Sequence, residues 1–175
     1  MDATIQVVDR GAQIAFSFAD VLKYHGPGSP GGAAIGFTAL ACALPLLAAD
    51  GIAERREIVV ATAFGGPGAR DAFELVTRAV TGNRFTLDPA LARPERGRLL
   101  ERFVFRLSAG TRQVTLLLRE GFVTAEFLDL ARAEARDAAQ DLRLTVLKQQ
   151  LADRVMACRA DELYDVAVNR ATSSS

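Results

Sequence analysis

Residues 33 to 52 are apolar at almost every position. A helix of that composition has no polar face to turn to water, so it must sit at the centre of its fold. Ala33, Ala34, Gly36, Ala39 and Ala41 are small enough to let neighbours approach closely. Crossing a bilayer takes about 20 strongly apolar residues. Here Pro45 interrupts the run, Gly36 weakens it, and many positions are alanine. The pattern predicts a buried helix over 33–49, stopped by Asp50-Gly51, and no membrane partner.

The rest of the composition narrows the class. A chain of 175 residues, half of them hydrophobic, can build one well-buried domain. We place that domain at 1–168, with a disordered tail over 169–175. Lys plus Arg equals Asp plus Glu at 21 each, so charge gives no reason to expect a nucleic-acid partner. Cys42 and Cys158 form no CxxC pair. They are expected as buried free thiols in a reducing, cytoplasmic protein. The first ten residues, MDATIQVVDR, show no apolar run of the signal-peptide kind.

Periodicity predicts the other elements. Residues 16–23 suit a short helix and 26–32 a loop. EIVVATA at 57–63 is a β-branched run expected as a buried strand. GGPG at 65–68 is a second tight loop, followed by a helix over 71–80. A short strand is expected at 85–87 and a surface loop at 88–97. RFVFRL (102–107) and QVTLLLR (113–119) alternate as half-buried strands joined by a turn at 108–111. A long helix is expected over 124–157, capped by Thr124, with a break near Arg143. Its apolar positions are Phe127, Leu128, Ala131, Ala135, Ala138, Leu142, Val146, Leu151 and Val155. The order lacks repeated βαβ alternation, which predicts an α+β fold: a small mixed sheet, helices on one face and a long C-terminal helix.

Two glycine loops carry the chemistry. Tyr24-His25-Gly26-Pro27-Gly28-Ser29-Pro30-Gly31 holds the only histidine and opens the apolar helix. Backbone N–H groups at a helix start favour an anion. Gly28, Ser29, Gly31 and Gly32 are therefore candidate ligand contacts, with His25 facing them. A capped loop around a hydrogen-bonded histidine is the plainer alternative. GPGSPG has Rossmann spacing, but a helix rather than a strand leads into it. The second loop runs from Gly65 to Asp71. Arg70 is a candidate anion contact, and Asp71 either faces the site or serves the dipole of its helix's first turn. Thr81-Gly82-Asn83 is a turn whose backbone Thr81 can satisfy. No Ser-His-Asp order with signature spacing, HExxH or Walker lysine occurs, so no independent catalytic activity is expected. His25 and Asp71 as a base and its orienting acid are the enzymatic alternative.

Taken together, these segments resemble the FmdE family, named after a component of formylmethanofuran dehydrogenase. That family opens an apolar helix with F/Y-H-G-H-x-C-P-G, which here stands as Tyr24 to Gly31, then Ile35-Gly36-Phe37. Asp71-Ala72, Thr81-Gly82-Asn83, the hairpin segments and Asp161 to Val166 match later family motifs. The resemblance adds Thr81 to the candidate contacts and implies an accessory role in one-carbon or molybdenum/tungsten-enzyme metabolism. It also implies, as an alternative, a partner in an oxidoreductase complex, while the helix over 124–157, too long to be buried by one small sheet, predicts a homodimer that covers its remaining apolar stripe. The family's second histidine falls at Pro27, its motif cysteine at Ser29 and a further sulfur ligand at Gly68. Of the implied metal set only His25 remains, so a divalent metal such as zinc or nickel would be held there with Ser29 and water. The function expected first is therefore binding of a small ligand or anion at the His25 loop.

Overall fold

The computed structural model describes residues 3–48 and 51–170. In chain order, β1 (Thr4–Asp9) and β2 (Ala12–Ser17) form a hairpin, followed by α1 (Phe18–His25) and α2 (Pro30–Leu47). Then come β3 (Val59–Thr62), α3 (Pro67–Thr77), β4 (Phe85–Leu87), β5 (Val104–Ala109) and β6 (Arg112–Leu118). α4 (Ala125–Arg132), α5 (Ala138–Met156), α6 (Ala160–Leu163) and β7 (Tyr164–Arg170) complete it. The fold is α+β. One sheet has the order β4-β3-β5-β6-β7, and β1-β2 stands apart as a two-stranded sheet.

The main sheet is mixed, since β3 and β4 run parallel and the other pairs antiparallel. One β-α-β unit, β3-α3-β4, is thus present in a chain that otherwise lacks that alternation. Val60, Phe105, Leu107, Val114, Leu116 and Leu118 are buried with α2, α3 and α5 in one core. Arg106, Gln113 and Thr115 alternate with them on the opposite face. That face carries only a small apolar cluster of Ala63, Leu91 and Val104.

α2 is central, as its composition requires. Every residue from Ala33 to Leu40 is buried. It is long and apolar enough to cross a membrane by length and composition, yet it lies inside the protein, in the core. It begins three residues earlier than expected, because Pro30 fits the first helical position, where a missing N–H costs nothing. Part of the expected stop, Asp50, lies outside the described residues. β7 is locked to α2 through Tyr164. Its buried hydroxyl donates to the Ile35 carbonyl (2.9 Å) and lies 2.9 Å from Thr38 Oγ1. Burial raises that hydroxyl's pKa well above the ordinary tyrosine range.

α2 and α3 cross at glycine. A Cβ on Gly36 would stand 2.8 Å from Ala69 Cα. One on Gly68 would stand 2.4 Å from the Ser29 carbonyl oxygen and 2.5 Å from the Ala33 nitrogen. The far end of α3 is held by two arginines. Arg55 donates to the Val76 carbonyl (2.8 Å) and to that of Leu75. Arg84 donates to the carbonyls of Thr77 (2.9 Å), Arg78 (3.1 Å) and Ile58. These cations satisfy orphan carbonyls and oppose the negative end of the helix dipole.

Four expectations need correction. The helix expected at 124–157 is two helices, divided over 133–137 rather than near Arg143. Asp137 starts α5 with a capping box to Gln140. Arg136 closes α4 by donating to the carbonyls of Leu130 (2.9 Å) and Ala133 (3.4 Å). The break rephases the stripe: α5 buries Leu144, Leu147, Leu151 and Val155, whereas Leu142 and Val146 are exposed. α3 starts at Pro67, four residues before the expected start, again with proline in the first turn. The β5–β6 turn is tighter than expected, with only Gly110 and Thr111 outside the strands. Thr124 does cap α4, accepting from the Phe127 amide at 3.2 Å. β7 extends through Asn169 and Arg170, and the rest of the expected tail lies outside the described residues.

Candidate functional site

His25 is the last residue of α1, a helix started by a Ser17–Asp20 capping box. Gly26, at φ 82, turns the chain away from it. The imidazole is 8% exposed, and its Nδ1 lies 2.7 Å from Asp71 Oδ2. A carboxylate oxygen accepts, so Nδ1 carries the proton in this pair. Asp71 is the fifth residue of α3, too deep for the first-turn role. It ties the end of α1 to α3 instead. Nε2 is buried and has no hydrogen-bond partner among the described residues. A Cβ on Gly28 would be 3.9 Å from Nε2, so the 26–29 loop passes over the ring.

The same loop borders a cavity of about 390 Å³. Ser29 and Gly32, from the start of α2, line it, as do Gly66 and Pro67 from the start of α3. Neither helix has a side-chain cap or an acidic residue in its first turn. α1, α4 and α5 each have both. In α2 and α3 the first turn is proline followed by glycine, which offers backbone N–H groups and no carboxylate. Two parallel sources of positive potential therefore meet at the cavity.

Four cations add to them: Arg102, Arg132, Arg136 and Lys148 line the cavity, and among the described residues no carboxylate does. Two are engaged elsewhere. Arg136 pairs with Asp141 at 2.8 Å, and Lys148 donates to the Gly28 carbonyl at 2.9 Å. The other two are available. The Arg102 side chain has only a 4.0 Å contact with Glu101, and the Arg132 side chain has no ion pair or hydrogen bond among the described residues, although its charge helps to hold the Asp129 carboxyl below its ordinary range. The apolar wall includes Phe64, Phe103 and Phe127.

The structure thus brings Ser29 and Gly32 to the cavity, whereas His25, Gly28 and Asp71 do not line it: Gly28 lies in the bordering loop, and His25 and Asp71 pair between the end of α1 and α3. Gly31 has another role: a Cβ there would meet Leu151 Cδ2 at 2.9 Å, so it is the close contact between α2 and α5. Thr81 lies beyond the opposite end of α3. Its amide donates to Glu74 Oε2 at 3.0 Å, and its hydroxyl donates to Glu74 Oε1. Arg70, on the exposed surface of α3, does not line the cavity. Sequence reasoning missed Phe64, Arg102, Phe127, Arg132 and Lys148. Two signals pointed near them: Pro67 marks a second bare helix start, and Asp137-x-x-Gln140 marks the break beside Arg132.

A larger groove of about 1060 Å³ is lined by α1, α2, β7 and residues 156–161. It is mainly apolar, and both Cys42 and Cys158 face it. Burial pushes the Cys42 thiol above its ordinary range, which leaves it a poor nucleophile. The groove lacks the convergent cations of the smaller cavity. Among the described residues no group of three or more His, Cys, Asp and Glu side chains is placed to hold a metal. In comparison with known proteins, the chain matches no family model and no curated protein.

Proposed function

We propose that this chain is a binding or accessory protein that holds a small anionic ligand between the starts of α2 and α3. The observation that carries the proposal is the cavity itself: two bare helix N-termini and four cations meet there, with no carboxylate among the described residues. The resemblance of residues 24–31 to the FmdE motif supports a place beside enzymes of one-carbon or molybdenum/tungsten metabolism. In this reading the loop supplies backbone donors, Lys148 fixes the loop at Gly28, and Arg132 meets the ligand's charge. The His25–Asp71 pair positions α1 and α3 beneath it.

Titration calorimetry of the full chain with inorganic phosphate tests this. Saturable binding is expected, with Arg132→Ala weakening it at least about tenfold, equivalent to ~1.4 kcal/mol. Absence of saturable binding up to about 10 mM, near −2.7 kcal/mol, would remove the proposal.

A second reading, a divalent metal on His25, is favoured by one observation. Asp71 holds Nδ1 and leaves Nε2 free, the arrangement in which a carboxylate orients a metal-bound histidine. The donor set fits poorly, because this single nitrogen has no companion ligands among the described residues. Water or a second chain would have to complete the shell. Elemental analysis of untagged protein is expected to give well under one zinc or nickel per chain; stoichiometric metal would instead favour this reading. A homodimer, or membership of an oxidoreductase complex, also belongs to the proposal, with exposed Leu142 and Val146 one turn apart on α5 as contact surface. Light scattering tests self-association.

A further inference from the structure

The cavity has an aromatic side as well as a cationic one. Phe64 follows β3 and stacks on Phe103, ring centroids 4.5 Å apart and planes inclined by 26°. It also meets Phe105 edge-on at 6.1 Å. Its position depends on glycine: a Cβ on Gly66 would lie 2.4 Å from Phe64 Cζ. The ring is thus fixed over the start of α3, close to the bare amides. Phe103 is 1% exposed and Phe127 9%, whereas Phe64 is only half-buried. Much of the ring surface left open in this cluster therefore belongs to Phe64, on the cavity wall. Arg102 and Arg132 line the same space. A simple phosphate needs the cations and amides but has no use for the rings.

We infer that the ligand is a planar aromatic or heteroaromatic ring bearing a phosphate group, with the ring on Phe64 and Phe127. The phosphate meets Arg132, Arg102 and the first amides of α2 and α3. This rests on the proposed anion binding and adds the class of molecule. A phosphate presents several acceptor oxygens to donors that converge from separate elements. The cavity, about 390 Å³, lies within the usual range for small-molecule sites. Stacking of a ring on an aromatic side chain is a tenfold effect or more.

The test compares phenyl phosphate with methyl phosphate on the full chain by calorimetry, with AMP and ribose 5-phosphate as a second pair. At least one ring-bearing member is expected to bind about tenfold or more tightly than its ringless counterpart. Phe64→Leu should cut that ratio to within about twofold while leaving methyl phosphate binding intact, which also shows that the variant is folded. Phe127→Leu serves as the second variant if Phe64→Leu does not fold. Arg132→Ala should weaken both members of a pair by the same factor. Equal affinity within both pairs would overturn the ring assignment while leaving anion binding in place. A preference for the ring that survives both phenylalanine variants would overturn it as well. No binding of any of the four would remove the anion site and this inference together.

Discussion

Gly68→Ala is expected to lower stability by about 3 kcal/mol, the upper part of the range for overpacking a close-packed interior. The added methyl would lie 2.4 Å from the Ser29 carbonyl and 2.5 Å from the Ala33 amide nitrogen. Both are backbone atoms of the turn that starts α2, so neither can rotate away. The helices must separate by close to an ångström. α2 packs against α3, α5 and the sheet, so the shift would spread through the core. For a domain of this size the melting temperature should fall by about 10 °C. Urea denaturation reads the loss directly. Gly28→Ala is the control, since its new methyl would meet only His25 Nε2, at 3.9 Å. A loss under about 1 kcal/mol in Gly68→Ala would show that the crossing yields easily.

The second large effect belongs to Glu74→Gln. Glu74 is 4% exposed on α3 and receives the Thr81 amide, the Thr81 hydroxyl and Arg78 at 3.2 Å. Burial raises its pKa, but the two Thr81 hydrogen bonds and Arg78 outweigh that and hold it below the ordinary glutamate value. A folded pKa below the unfolded one means that the carboxylate stabilises the protein at neutral pH. That contribution is complete above the unfolded-state value and is lost as pH falls through the folded one. Glu74→Gln keeps the shape but places an amide N–H₂ against donors. It should cost about 2 kcal/mol at pH 7, in the range for hydrogen bonds to charged groups. The deficit should shrink as pH is lowered through the carboxylate range, because the wild type then loses what the variant already lacks. Denaturation curves at several pH values check this; a deficit that does not change with pH would refute it.

How much of this was legible in the sequence varied with how local the signal was. The central place of α2 follows from an apolar run with no polar face. The loop at Gly26 to Ser29, the hairpin of β5 and β6 and the cap at Thr124 are also local patterns. The break after α4 was local too, in Asp137 and Gln140. Apolar spacing alone hid it, because Leu142 and Val146 fit a continuous helix as well as Leu144 and Leu147 do. β7 is an edge strand with Val166 and Val168 exposed, so its alternation carries little burial signal. Of the cavity lining, Ser29 and Gly32 at the start of α2 could be read in advance, as could both members of the neighbouring His25–Asp71 pair. The rest could not. Arg102, Arg132 and Lys148 sit in a loop and two helices, and only the packing of α4 on α5 and of α5 on α2 sets them around one space.

The helix crossing at Gly68 also limits which side chains residues 29 and 68 can carry together. Here the backbone of residue 29 lies where any side chain on residue 68 would begin. Gly68→Cys and Ser29→Cys together would have nowhere to put the first sulfur until the two helices moved apart. A side chain at residue 68 and the present approach of α2 to α3 exclude one another, so this position can change only if the crossing changes with it.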